Sequence, residues 1–115
     1  MNRIVQVRRV YDEPLSSDGA RILVDRLWPR GLSKERAHLD EWLKDVAPST
    51  ELREWYGHVP ERFDEFARRY EAELDGSAAL RSLRDRPGAV TLLTASKLPE
   101  ISEAAVLARL LVDTR

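Results

Sequence analysis

The sequence predicts a small α/β domain: a mainly parallel sheet of three or four strands flanked by helices, in a three-layer α/β/α arrangement. Two short apolar runs, Ile22-Leu23-Val24 and the centre of residues 89–95, have the continuous hydrophobicity of strands covered on both faces. Segments with helical spacing separate them, so the links between strands are crossovers, and crossovers build parallel sheets. The chain has 115 residues, 43% of them apolar, which suits one domain spanning 1–115 with a single core.

Residues 4–10 alternate apolar and polar positions weakly and form a first strand. Asp12-Glu13-Pro14 ends it, and Ser16-Ser17-Asp18-Gly19 is turn chemistry. Residues 20–27 form the second strand, stopped by Pro29 and Gly31. Ser33 then caps a helix on which Leu39, Trp42, Leu43 and Val46 recur at helical spacing, and Pro48 closes it. Ser49 or Thr50 caps a short helix with Glu51 in its first turn, ending near Gly57.

Pro60 occupies a first helical position, and Phe63, Phe66, Ala67, Tyr70 and Leu74 follow on one amphipathic face. Ser77 caps another short helix carrying Leu80 and Leu83, before the turn at Pro87-Gly88 and the strand 89–95. Pro99 starts a last helix lined by Ile101, Ala104, Ala105, Ala108, Leu111 and Val112. Val106, Leu107 and Leu110 extend its apolar surface beyond one stripe, so it is either sandwiched in the core or packed against a second copy. Three strands are visible: 4–10, 20–27 and 89–95. Either a fourth edge strand is hidden or the helices outweigh the sheet.

Composition narrows the function classes. Nineteen basic and twenty acidic residues leave a formal charge of −1, which gives no global pull towards nucleic acid or anionic membrane. Any electropositive site is therefore local. The absence of cysteine excludes disulfides, thiolate zinc sites and a cysteine nucleophile. The charged N-terminus does not read as a signal peptide, and the stretch 101–112 is too short to span a bilayer. The expected location is cytoplasmic. His38 and His58 lack metal-ligand spacing, no glycine-rich phosphate loop points to a cofactor, and the GxSxG elbow of a serine nucleophile is missing.

Chemistry concentrates at the strand ends. In parallel sheets, ligands bind beyond the carboxyl ends of the strands. The second strand delivers Asp25, Arg26, Trp28 and Arg30 there, and the last strand delivers Ser96 and Lys97 just before a helix N-terminus. If the strands run parallel, these residues share a rim suited to a phosphate or carboxylate. Arg26, Arg30, Ser96 and Lys97 would contact the anion, Trp28 would form a wall, and Asp25 would orient the ligand or act as a base. Each also has a plainer role. Arg26 could pair with a surface acid, Trp28 could pack against the core, and Asp25 could fix its own loop.

The run Ser17-Asp18-Gly19-Ala20-Arg21-Ile22-Leu23-Val24-Asp25-Arg26-Leu27-Trp28-Pro29-Arg30-Gly31 resembles the YeaO-like bacterial proteins of the domain-of-unknown-function 488 family. The resemblance continues through Leu39 to Trp42, Ala47 to Arg53, Phe66, Tyr70, Glu73, Leu74, Val90 to Leu93 and Lys97. It implies a compact α/β protein of the bacterial or archaeal cytosol and supplies no activity. The family pattern carries an aromatic near Thr94 and an Asn-His pair where this chain has Ser102-Glu103, which implies an altered site at the last helix. Three readings stay open: an enzyme or binding protein for a phosphorylated or nucleotide-like ligand, a non-catalytic homodimeric module joined through residues 100–112, and a weak nucleic-acid binder, which the balanced charge disfavours.

Overall fold

The computed structural model describes residues 4–112. Four strands form one sheet in the order β1-β4-β2-β3: β1 is Val5–Arg9, β2 Ala20–Leu23, β3 Glu41–Trp42 and β4 Val90–Thr94. Every pairing is parallel. The helices are α1 Lys34–Ala37, α2 Thr50–Tyr56, α3 Phe63–Leu74, α4 Ala78–Asp85 and α5 Glu103–Val112. This is the α/β class that the apolar runs predict.

Side-chain alternation divides the sheet into two faces. The registers align Val5, Val90 and Ala20 in one row and Val7, Leu92 and Ile22 in the next. Those rows face the main core, which α2 supplies with Leu52 and Tyr56, α3 with Phe66 and Tyr70, α4 with Leu80 and Leu83, and α5 with Leu107 and Leu111. The intervening rows, Gln6-Thr91-Arg21 and Arg8-Leu93-Leu23, face the other way. There the layer is thin: Leu23, Leu93 and Val10 pack with Trp28, Leu32, Leu39 and Trp42.

Right-handed crossovers account for this imbalance. The steps β1 to β2 and β2 to β3 move one way across the sheet, and the step β3 to β4 returns, so the two sets of connections lie on opposite faces. The return connection carries α2, α3 and α4. The outward ones carry loops and the single turn of α1.

The chain departs from the predicted elements in one important place. Ser33 does cap a helix, its side chain accepting the Arg36 amide, but that helix ends after four residues, with His38 left-handed at φ 49°. Residues 41–42 then form the hidden edge strand. Asp40 draws them to the sheet: its amide donates to the Arg21 carbonyl at 2.8 Å, and its Oδ2 accepts the Arg21 amide at 2.8 Å. Trp42 and Leu43 go to opposite faces, the strand alternation that the helical spacing had masked. The other helices start and stop at their caps. Ser49 and Ser77 accept the Leu52 and Leu80 amides, and Gly57 closes α2 at φ 53°.

Pro99 begins a 3-10 turn rather than the helix proper, because Ser102 is extended, and α5 starts at Glu103. Ala104, Val106, Leu107 and Leu111 of α5 are buried in the chain's own core, with Ala108 and Leu110 packed against it.

At the amino ends of the strands, Asp18 ties the turn to the sheet. Its carboxylate accepts Arg8 Nη1 at 3.1 Å, Arg21 Nη1 at 2.6 Å and the Leu15 amide at 2.9 Å. Its carbonyl accepts the Thr91 hydroxyl at 2.7 Å. Arg21, itself buried, also donates to the carbonyls of Ala37 and His38, closing the end of α1.

Candidate functional site

β2 and β4 are adjacent and parallel, so their carboxyl ends meet. A cavity of about 300 Å³ lies there, with Asp25, Arg26, Trp28, Arg30 and Ser96 on its lining. Lys97 is exposed and lies outside it, in a neighbouring depression with His58, Leu98 and Ile101. The structure therefore brings together five of the six residues singled out from the sequence.

Each of the five also does something for the fold. Asp25 Oδ2 accepts the Ala95 amide at 2.8 Å, and its carbonyl accepts Trp42 Nε1 at 2.7 Å, locking the β2 end to β4 and β3. Trp28 donates its indole N–H to the Leu32 carbonyl at 2.6 Å and stands edge-on to Trp42, the ring centroids 5.3 Å apart. Its ring is a wall whose polar tip is already committed. Ser96 Oγ accepts the Leu98 amide at 3.2 Å, and the Ser96 carbonyl accepts Arg9 Nε at 3.1 Å. Arg30 is exposed, and its carbonyl anchors the Tyr11 hydroxyl at 2.9 Å.

Arg26 is held differently. Its Nη2 donates to the carbonyls of Ala47 and Pro48 at 3.3 and 3.2 Å, and its buried Nε has no partner. Among the described residues, Arg26 Nε and Asp25 Oδ1 are the buried side-chain polar atoms left without one. Native interiors satisfy nearly all such groups, so two orphans in one cavity mark it as unusual.

The cavity contains residues that the sequence did not single out. Arg53 of α2 and His58, which follows α2, are exposed on its lining. Arg53 ends the Ala47 to Arg53 run that carried part of the expected family resemblance. His58 was visible only as an isolated histidine. Thr94, Tyr56, Ser102 and Glu103 also contribute. Thr94 and Glu103 bond to each other: the Thr94 hydroxyl donates to Glu103 Oε1 at 3.0 Å.

Glu103 also contacts the Asp25 carboxylate. Burial raises its carboxyl well above the ordinary carboxylate range, and the negative charge of Asp25 pushes it further. The same environment reaches two tyrosines. Tyr56, which donates to the Ile101 carbonyl at 2.6 Å, is raised by burial and then by Glu103. Tyr70, which donates to the Val46 carbonyl at 2.5 Å, is raised well above the ordinary phenol value by burial first and by Glu103 next.

A family model described as "Inactive DUF488-N3 subclade" matches residues 4–115. The chain belongs to this subclade. Its relatives include the uncharacterized protein Rv3073c of Mycobacterium tuberculosis strain H37Rv, 56% identical over 109 residues that cover 93% of this chain and 92% of that one. The uncharacterized protein YeaO of Escherichia coli strain K12 is 44% identical over 110 residues, covering 90% of this chain and 93% of that one. No solved structure matches the chain. The DUF488-N3 assignment thus agrees with the resemblance carried by residues 17–31, and among the described residues no helix is long and apolar enough to cross a membrane.

Proposed function

We propose that this DUF488-N3 chain binds a small phosphorylated or nucleotide-like anion in the cavity at the carboxyl ends of β2 and β4, without turning it over. One observation carries this reading. Arg26, Arg30 and Arg53 line a single cavity, and among the described residues none of the three pairs with a carboxylate. Guanidinium groups keep their charge at any physiological pH and present planar forks to oxyanions. In a chain whose total charge nearly cancels, three unpaired ones in a pocket form the local electropositive site that an anion needs.

Size bounds the ligand. About 300 Å³ is the low end of ligand cavities, which suits a sugar phosphate or mononucleotide better than a dinucleotide. Binding without turnover fits the description of the subclade as inactive. A cytoplasmic metabolite fits a chain without cysteine. The competing reading, a homodimer through residues 100–112, has little surface to use, because α5 has placed its large apolar side chains in its own core and exposes Val112.

Isothermal titration with AMP and with inorganic phosphate tests the proposal. Arg53→Ala is expected to weaken AMP binding about tenfold, the loss of one charge-assisted contact worth ~1.4 kcal/mol. Absence of binding to either probe at millimolar concentration overturns it.

A further inference from the structure

We infer that Glu103 stands in the cavity as a neutral carboxylic acid, its proton donated to Asp25 Oδ1, and that this neutrality lets the site select an anion. The inference rests on the anion reading above and names the residue that governs it.

The geometry supplies the reason. Asp25 Oδ2 takes the Ala95 amide, whereas Oδ1 is buried and has no donor among the described residues. A buried carboxylate oxygen left without a donor carries its full desolvation penalty. The group in contact with Asp25 is another carboxyl, Glu103. Two neighbouring carboxyls on a partly buried cavity wall disfavour joint ionisation, so one keeps a proton, and that proton is the missing donor. Burial decides which. Glu103 receives the Thr94 hydroxyl and its own backbone amide, but burial and the neighbouring Asp25 outweigh both and favour its protonated form, while Asp25 Oδ2 already takes the Ala95 amide.

The consequence is electrostatic. With Glu103 neutral, three guanidiniums on the lining face one carboxylate; with Glu103 ionised, they face two. An incoming dianion meets a second negative charge on the wall only in the latter state. The other charged or titratable groups on the cavity wall are Asp25 and Arg26 after β2, Arg53 and Tyr56 on α2, His58 after α2, and Tyr11 and Arg30; Tyr70 on α3 interacts electrostatically with Glu103. Arginine keeps its charge throughout. Any contribution of His58 is common to two proteins that both retain it.

Sulfate is the probe, because it remains a dianion from pH 5 to pH 9. Its affinity is measured across that range by calorimetry for the wild-type chain and for Glu103→Gln, whose amide keeps a donor for Asp25 and an acceptor for Thr94. The wild type is expected to lose at least about fivefold more affinity than Glu103→Gln as pH rises, the order set by one charge acting across several ångströms. A wild-type to variant ratio that stays constant with pH, together with an ionised carboxyl carbon-13 shift of Glu103 at pH 7, overturns the inference while leaving the anion reading intact; a constant ratio with a protonated shift supports it. Sulfate binding to neither protein at any pH overturns both. Should Glu103→Gln not fold, the carboxyl carbon-13 shift of Glu103 in the wild-type chain decides: a protonated shift at pH 7 supports the inference, and an ionised one overturns it.

Discussion

Asp18 shows how one side chain can hold several segments. Its carboxylate is almost fully enclosed and meets Arg8 of β1, Arg21 of β2 and the Leu15 amide together. Asp18→Asn would leave two guanidiniums without their counter-charge, a change that typically costs about 3–5 kcal/mol, readable in urea denaturation. Burial alone would raise this carboxyl, but the Leu15 amide and the two arginines outweigh it and hold it below its ordinary value. The stability it contributes is therefore complete above the ordinary carboxylate range and is lost as pH falls through the lowered value. Glu103 has the opposite sign. Its raised carboxyl contributes stability at low pH that is lost as pH rises through that higher value, and Glu103→Gln is expected to remove the alkaline decline. Melting temperatures across pH 3 to 9 check both slopes. Beside Asp18, Gly19 sits at φ 63°, where a Cβ would lie 2.2 Å from the Ala89 carbonyl oxygen. Gly19→Ala is expected to cost on the order of 2–4 kcal/mol, from backbone strain and the displacement of β4, and the same denaturation experiment reads it.

Among the elements, α2 and α3 are joined by the stacked Tyr56 and Phe66 rings and by a few polar atoms. Ser49 caps α2 through Leu52, and its amide and hydroxyl donate to the two oxygens of Glu73 on α3, at 2.9 and 2.6 Å. Ser49→Ala is expected to cost about 1–2 kcal/mol. Combining it with Glu73→Ala should show a coupling of roughly 1 kcal/mol in a double-mutant cycle, since the two residues are direct partners; strict additivity would refute the tie. The fifteen-residue family run also divides at the level of elements. Its first part, Asp18 to Arg21, builds the amino end of the sheet, and its last part, Asp25 to Arg30, lines the cavity at the carboxyl end. β2 spans the two, so a continuous motif serves two opposite ends of the fold.

At the scale of the whole molecule, some arginines meet carboxylates and others do not. Arg8, Arg21, Arg68, Arg69, Arg86 and Arg109 stand against carboxylates, and the cavity gathers three that do not. Lys97 lies next to the cavity in sequence but outside it in space. Lys97→Ala should leave AMP affinity within about twofold, as expected for a screened surface charge, in the calorimetry that shows the Arg53→Ala loss. An equal loss in both variants would place the anion elsewhere.

The amino-acid sequence by itself determined the α/β class, the strands around Ile22 and Leu92, the capped helices and the family. These follow from local rules: apolar periodicity, Ser and Gly at helix ends, proline at stops. The same rules placed Asp25, Arg26, Trp28, Arg30 and Ser96 at one rim, because a parallel sheet puts its carboxyl ends together. Tertiary structure decided the rest. The segment around Trp42 has helical spacing and becomes an edge strand, since Arg21 offers Asp40 a backbone partner that only the folded sheet presents. Lys97 drops out and Arg53 and His58 enter, because lining a cavity depends on the path of the chain between elements, which local pattern does not encode. Glu103, 78 residues from Asp25 in the chain, meets it only when α5 folds back over β1 and β4, and a pair so distant leaves no trace in spacing.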